Sequence, residues 1–193
     1  MKLHVLSVLV LITWMTLHFP ASLQARTSID DMINWTDPTA MPQQKFVGIL
    51  DANTKDPGKP LYVITQNARS TSVSFQVLKD DRNNILDCRL FGGAFKVQKM
   101  EVWYSLPSLP GGEAYHLNIE LSNENLTKKK IGDLKAFLAQ KTGDAHPKEA
   151  QFGRSGPTGL QWSNPKYKVV LFEYRTSMTV SIDSLTPLPS AQP

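Results

Sequence analysis

The residues equipped for chemistry are few and scattered. Cys88 is the single cysteine, and His116 and His146 are the only histidines beyond the N-terminal apolar stretch. A thiolate beside an imidazole, with Asp87 or Asn118 to orient the ring, would make a nucleophile with its base. No local signature surrounds Cys88, and the chain order does not bring it within hydrogen-bond reach of either histidine. The cysteine therefore reads as a small apolar residue among strand residues. His116, Asn118 and Glu120 alternate along a strand-like run and so project from one face. Two strand residues advance about 6.6 Å, which sets His116 and Glu120 about 13 Å apart, too far to share one metal ion. With two histidines and no dense carboxylate loop, neither a metal nor a cofactor is expected.

Three further features are candidates for binding. The run Gly153-Arg154-Ser155-Gly156-Pro157-Thr158-Gly159 lacks the Lys-Ser/Thr ending of a phosphate loop, but Arg154 would offer a planar cation to an anionic group. Trp162, at the end of that loop, is the aromatic residue expected at a binding rim. Lys128, Lys129 and Lys130 open a helical segment, where cations oppose the helix dipole, and they read as a docking patch for an acidic surface or as a solvated face. The other aromatic residues, Trp103, Tyr104, Tyr115, Tyr167, Phe172 and Tyr174, read as core and strand partners.

These residues need elements to hold them. Val73, Phe75 and Val77 alternate with polar residues, as do Tyr115, Leu117, Ile119 and Leu121, which is the period of a half-buried strand. Leu61–Thr65, Phe95–Tyr104 and Tyr167–Tyr174 are rich in β-branched and aromatic residues, with Phe46–Leu50 and Met178–Ile182 as shorter strand candidates. Within Phe95–Tyr104 the apolar phase shifts from Phe95 and Val97 to Met100, Val102 and Tyr104, which predicts a bulge near Lys99. One helix is expected over residues 127–141. It would be capped by Asn123 or Asn125, carry an apolar stripe of Ile131, Leu134, Phe137 and Leu138, and end at Gly143. Gly132 weakens that helix, a cost that close approach to a strand would explain. Residues 144–165 read as a long loop, and Arg175-Thr176-Ser177 as a hairpin turn.

The whole is expected to be an α+β fold in a single domain. Its curved, mainly antiparallel sheet would hold about six to seven strands, with one main helix packed on one face. Around the domain, over residues 45–184, lie an extended lead-in at 26–44 and a Pro-rich disordered tail at 185–193. Ile29, Met32, Ile33 and Trp35 could form one helical turn in the lead-in, capped by Ser28.

The first 25 residues have the three parts of a secretory signal peptide: a short basic start, an apolar run from Val5 to Leu17, and small residues near Ala25. The run is about 13 residues, short of the roughly 20 that span a membrane as a helix. No transmembrane segment is expected after signal removal, and the location is periplasmic or secreted. One cysteine excludes an internal disulfide, which tilts the reading toward a bacterial envelope. Asn34-Trp35-Thr36 and Asn125-Leu126-Thr127 fit the glycosylation pattern of a eukaryotic alternative. The 193 residues have ordinary globular composition, and the formal charge of +4 is too small and too scattered for nucleic acid.

The function these features point to is that of an exported, non-catalytic binding protein. It would act by contact with another envelope or secreted protein, as an inhibitor, immunity or assembly-accessory factor does, with an anionic glycan or lipid as the alternative partner. A second expectation is a lipid or small ligand held in a cavity between helix and sheet, lined by Phe75, Phe95, Leu117 and Phe137. A third is a small hydrolase using Cys88 or a carboxylate pair.

Overall fold

The computed structural model describes residues 29–52, 54, 58, 60, 62–67, 70–76, 89–91, 94–105, 114–122, 126–151, 156–174 and 177–186. The expected signal segment, Asp87, Cys88, Asn123, Asn125, Arg154 and the end of the tail lie outside them.

Among the described residues, three helices and nine strands follow in the order α1 (Ile29–Met32), α2 (Gln43–Ala52), β1 (Tyr62–Gln66), β2 (Ser70–Gln76), β3 (Arg89–Leu90), β4 (Phe95–Ser105), β5 (Ala114–Ser122), α3 (Lys128–Thr142), β6 (Lys148–Gln151), β7 (Thr158–Ser163), β8 (Tyr167–Glu173) and β9 (Ser177–Ser184). Eight strands form one antiparallel sheet in the order β1-β2-β4-β5-β9-β8-β7-β6, and the two-residue β3 pairs with β4. The α+β class and the main helix are as expected. The strand count is higher because residues 144–165 are not a loop: Lys148–Gln151 pairs antiparallel with Thr158–Ser163. Glycine and proline near residues 153–157 disguise a hairpin there as a connection.

One face of the sheet is the core. Val73, Phe75, Val97, Met100, Val102, Leu117, Ile119, Leu121, Val169, Leu171, Val180 and Ile182 are all buried there, at every second position of their strands apart from the shift in β4. Leu134 and Leu138 of α3 pack onto this face, with Ile131 and Phe137 flanking them, so the stripe read from spacing is the one that packs. Thr127 caps α3, accepting from the Lys130 N–H at 3.2 Å, and Gly143 closes it in the left-handed region at φ 70°. The cap is thus Thr127, the residue directly before the first turn. Gly132 is exposed, and a methyl group added there would meet nothing within 4 Å, so close packing does not explain it.

Phe46–Leu50, expected as a strand, lies inside α2. Phe46 and Leu50 are one helical turn apart, and both reach the core. The lead-in is also folded in rather than extended, since Ile29, Ile33 and Met41 are buried in the same core. Trp35 anchors it. Its ring lies 5.2 Å from both Phe91 and Phe137, and Phe91 sits 5.0 Å from Phe137 and 5.8 Å from Phe95. Phe91 adopts φ 57°, a backbone cost that its place at the centre of this aromatic cluster offsets. The Tyr167 hydroxyl is positioned to donate to the carbonyl oxygens of Trp35 at 2.9 Å and Lys141 at 3.1 Å, tying lead-in, helix end and β8 together. Among the described residues, no helix is long and apolar enough to cross a membrane.

The two sheet edges differ. β6 carries Lys148 and Glu149, the charges that discourage edge pairing. β1 carries none, and Val63 and Ile64 are 65% and 48% exposed.

Candidate functional site

The three described helices contribute to the core face, and among the described residues no helix covers the other face of the sheet. What that face presents follows from alternation and from two bulges. In β4 the register shifts between Val97 and Lys99, near the position expected from the sequence, and returns Met100, Val102 and Tyr104 to the core. Glu101 and Trp103 then necessarily point to the open face. In β5 a second shift falls opposite Trp103 and Tyr104: Trp103 pairs with His116 and Tyr104 with Ala114, so Tyr115 is the extra residue. Simple alternation with Leu117 would send Tyr115 into the core. The bulge gives that inward place to Ala114 and leaves Tyr115 half-buried beside His116.

The result is a cleft of about 340 Å³ lined by Glu101, Trp103, Tyr115, His116, Asn118, Phe172, Tyr174, Thr179 and Ser181. The register gives its plan. Trp103 pairs with His116, His116 with Asp183, and Asp183 with Lys168, four strands in a row. Phe172 lies further along β8 than Lys168, with Tyr174 beyond it. Two aromatic pairs, Trp103 with Tyr115 and Phe172 with Tyr174, therefore stand at diagonal ends of a floor made by His116, Asn118, Thr179 and Ser181. The Phe172 and Tyr174 rings are 6.4 Å apart. Phe172 is held flat over β7 because its cross-strand partner is Gly159, where a Cβ would meet a Phe172 ring carbon at 2.7 Å.

At one end of the floor a chain of charge crosses three strands. His116 Nδ1 is 2.6 Å from Asp183 Oδ1, and Lys168 Nζ is 3.4 Å from Asp183 Oδ2. An ionised carboxylate only accepts, so Nδ1–H donates and Nε2 is the nitrogen left over. Burial works against ionisation of Asp183, but the hydrogen bond and charge of His116, joined by Lys168, outweigh it and hold the carboxyl below its ordinary value. A carboxylate orienting an imidazole is also the base half of a nucleophilic site. Among the described residues no hydroxyl or thiol hydrogen-bonds to that ring, and the second carboxylate oxygen is taken by Lys168, so the group serves here as a cross-strand tie. Because the folded carboxyl is lowered, its contribution to stability is present above the ordinary carboxylate range. It is lost as pH falls through the lowered value. Asp183→Asn should thus lower stability at neutral pH by up to about 1 kcal/mol for this part-exposed pair. The difference from the parent should vanish in acid, as urea unfolding at the two pH values would read.

A second cavity, about 500 Å³, lies between the lead-in, the end of α3 and the β7–β8 turn, lined by Trp35, Thr36, Gln140, Lys141, Asn164, Pro165 and Lys166. It is the larger of the two, but its cations are engaged internally. Lys141 lies 5.3 Å over the Phe137 ring, and Lys166 pairs with Asp37 at 3.5 Å. The open-face cleft carries the richer chemistry.

The residues singled out by sequence are not gathered there. Trp162 is 1% exposed within the core rather than at a rim, and its indole N–H has no hydrogen-bond partner among the described residues. Lys128 and Lys129 are exposed and Lys130 half-buried at the start of α3, on the side of the sheet away from the cleft. Arg154 and Cys88 fall outside the described residues. His146 is exposed after α3, its backbone N–H bonded to Asp144 Oδ1 at 3.1 Å. Asn34 is exposed, and its side-chain oxygen accepts from the Thr36 N–H at 3.1 Å. Of the strand triplet, His116 and Asn118 line the cleft, and Glu120 shares their face. Among the described residues, no group of three or more His, Cys, Asp or Glu side chains could hold a metal ion.

Among the described residues, the side chains expected to line a helix–sheet cavity pack into the core instead. Phe75, Phe95 and Leu117 are buried members of the core, and Phe137 packs on Trp35 and Phe91. Neither of the two described cavities is lined by any of the four. Comparison with protein-family models, with curated proteins and with solved structures finds no match to this chain.

Proposed function

We propose that this is an exported, non-catalytic binding protein that works by contact with another protein, and that the open sheet face is its contact surface. One observation carries the reading: a sheet face with an aromatic pair at each end of a polar floor, covered by no helix among the described residues. Aromatic side chains provide large contact area at low entropy cost and are the common anchors of protein interfaces. The floor of Asn118, Thr179 and Ser181 offers hydrogen bonds to an extended segment lying between those anchors. The packing of Phe75, Phe95 and Leu117 into the core lends less support, among the described residues, to the alternative in which a lipid or small ligand sits between the two layers.

The test places a photo-crosslinking residue at one of three positions: Asn118 on the open face, Ile64 on the uncharged β1 edge, or Lys129 on α3. Adducts with a discrete partner from position 118, and not from the other two, are the expected result. Adducts confined to position 64 would move the contact to the sheet edge, and adducts confined to position 129 would move it to the basic helix patch. Either outcome, or silence at all three, removes the open-face reading.

A further inference from the structure

We infer that the open-face cleft is a site for an organic cation, an ammonium or quaternary ammonium group, held by the rings of Trp103 and Tyr115 and the carboxylate of Glu101. This rests on the open face being a recognition surface and adds the chemistry that the surface selects.

Three observations converge on it. The first is the clustering of rings. Trp103 and Tyr115 lie on neighbouring strands and line the same cleft, and it is the β5 bulge that turns Tyr115 out of the core to join Trp103. Ring faces carry negative charge density and attract cations, indole most strongly. The second is Glu101, two residues before Trp103 on the same face of β4 and therefore about 6.6 Å from it along the strand. Its one ion pair among the described residues is with Lys99 at 3.9 Å, the outer limit for such a pair, and the lysine side chain is 43% exposed. The Glu101 side chain is 21% exposed, and one lysine at that distance offsets its charge only in part, which leaves the carboxylate able to attract a second cation. The third is the disposition of the protein's own cations. On this face His116 and Lys168 both turn to Asp183, and the cation that stacks on an aromatic ring among the described residues is Lys141, on Phe137 on the other side of the sheet. Lys99 approaches Glu101 from the side away from Trp103 in the strand, and among the described residues no cation–ring contact involves Trp103 or Tyr115.

The alternatives fit less well. An anion would approach Glu101 at a cost. A neutral sugar would stack on the rings and donate hydroxyls to the carboxylate but would gain no charge attraction, and an apolar group would gain nothing from the carboxylate. A volume of about 340 Å³ is at the small end of ligand sites, which suits one cationic head group or one side chain of a partner.

The experiment titrates the folded protein with choline and with 3,3-dimethylbutan-1-ol, the neutral molecule of the same shape. The Trp103 indole resonance reports binding, with the Tyr115 ring resonances as the reporter in variants that lack Trp103. Choline is expected to saturate in the millimolar range and the alcohol to bind at least about tenfold more weakly, the difference being the charge–ring and charge–carboxylate attraction. Glu101→Gln should weaken choline several-fold and leave the alcohol unchanged. Trp103→Ala should abolish both, and Trp103→Phe, which keeps a ring and the fold, should retain reduced choline binding. Nα-acetyl-lysine amide separates the two sources of the cation. Binding of both probes points to a lysine side chain on a partner, and binding of choline alone points to a free quaternary amine. Equal binding of choline and the alcohol, or no saturation by either cation, overturns the inference. Crosslinking from position 118 alongside such a failure would leave the open face as a contact surface with different chemistry. Choline binding without crosslinks would leave a cation site whose ligand is small.

Discussion

Leu138→Ala is expected to lower the unfolding free energy by about 3 kcal/mol, the largest effect foreseen for a single truncation in this protein. Leu138 is fully buried, and with Leu134 it is what holds α3 against the sheet. Truncation removes the transfer free energy of the lost carbons and leaves a cavity beside β7 and β8, strands the neighbouring hydrogen bonds keep in place. The helix end is fixed to the sheet at two points, through Tyr167 and Asp144, and is stiffened internally by Thr142. Tyr167 bonds the Lys141 carbonyl, the Thr142 hydroxyl bonds the Leu138 carbonyl at 2.8 Å, and Asp144 Oδ2 accepts from the Ser163 N–H at 3.2 Å. A helix so tethered cannot slide inward to close the gap. Urea unfolding should show a lower midpoint with an unchanged slope, which separates lost stability from a changed unfolded state. Gly132→Ala in the same helix is the internal control with opposite sign. That glycine is exposed with open space around it, so alanine should raise stability by about 0.5–1 kcal/mol. A small loss from Leu138→Ala would mean that α3 is held mainly by its ends.

Gly159→Ala should cost about 2–3 kcal/mol although it adds a single methyl group. The new carbon would lie 2.6 Å from the Leu171 carbonyl oxygen and 2.7 Å from a ring carbon of Phe172. The ring could rotate, but the oxygen belongs to the backbone of the paired strand, so β7 and β8 must separate to admit it. Phe172 forms one wall of the open-face cleft, and the substitution therefore couples stability to binding. Any ligand of the cleft should bind the variant more weakly even at temperatures where it remains folded. Unchanged stability would show that the two strands can part at this point at little cost.

The contrast between those glycines indicates how far sequence reasoning reaches. Both stand in otherwise regular segments, and only the tertiary structure tells them apart, because the difference is what lies across from each. The same holds for residues 144–165. A connection rich in glycine and proline has the local marks of a loop, yet it contains a hairpin because Leu171 and Phe172 present a strand for β7 to pair with. Phe46–Leu50 is ambiguous for a related reason, since five residues with apolar ends satisfy a strand pattern and one turn of helix alike.

What the amino-acid order determined unaided is the set of features that depend on near neighbours. Period-two alternation marked β2 and β5, and β-branched and aromatic content marked β1, β4 and β8, with β9 as a shorter candidate. The phase change in β4 located its bulge, but Trp103 and Tyr115, read as core and strand partners, line the open face instead. The stripe through Leu134 and Leu138 and the glycine at 143 outlined α3. What the tertiary structure alone decided is which side chains from distant segments meet. Asp183 faces His116 across sixty-seven residues, Tyr115 leaves the core through a bulge its own strand does not announce, and Trp162 goes inward to the core rather than out to a rim. Local periodicity is set by backbone geometry within a few residues. The pairing of strands is set by burial summed over the whole sheet, and no short stretch of sequence contains that sum.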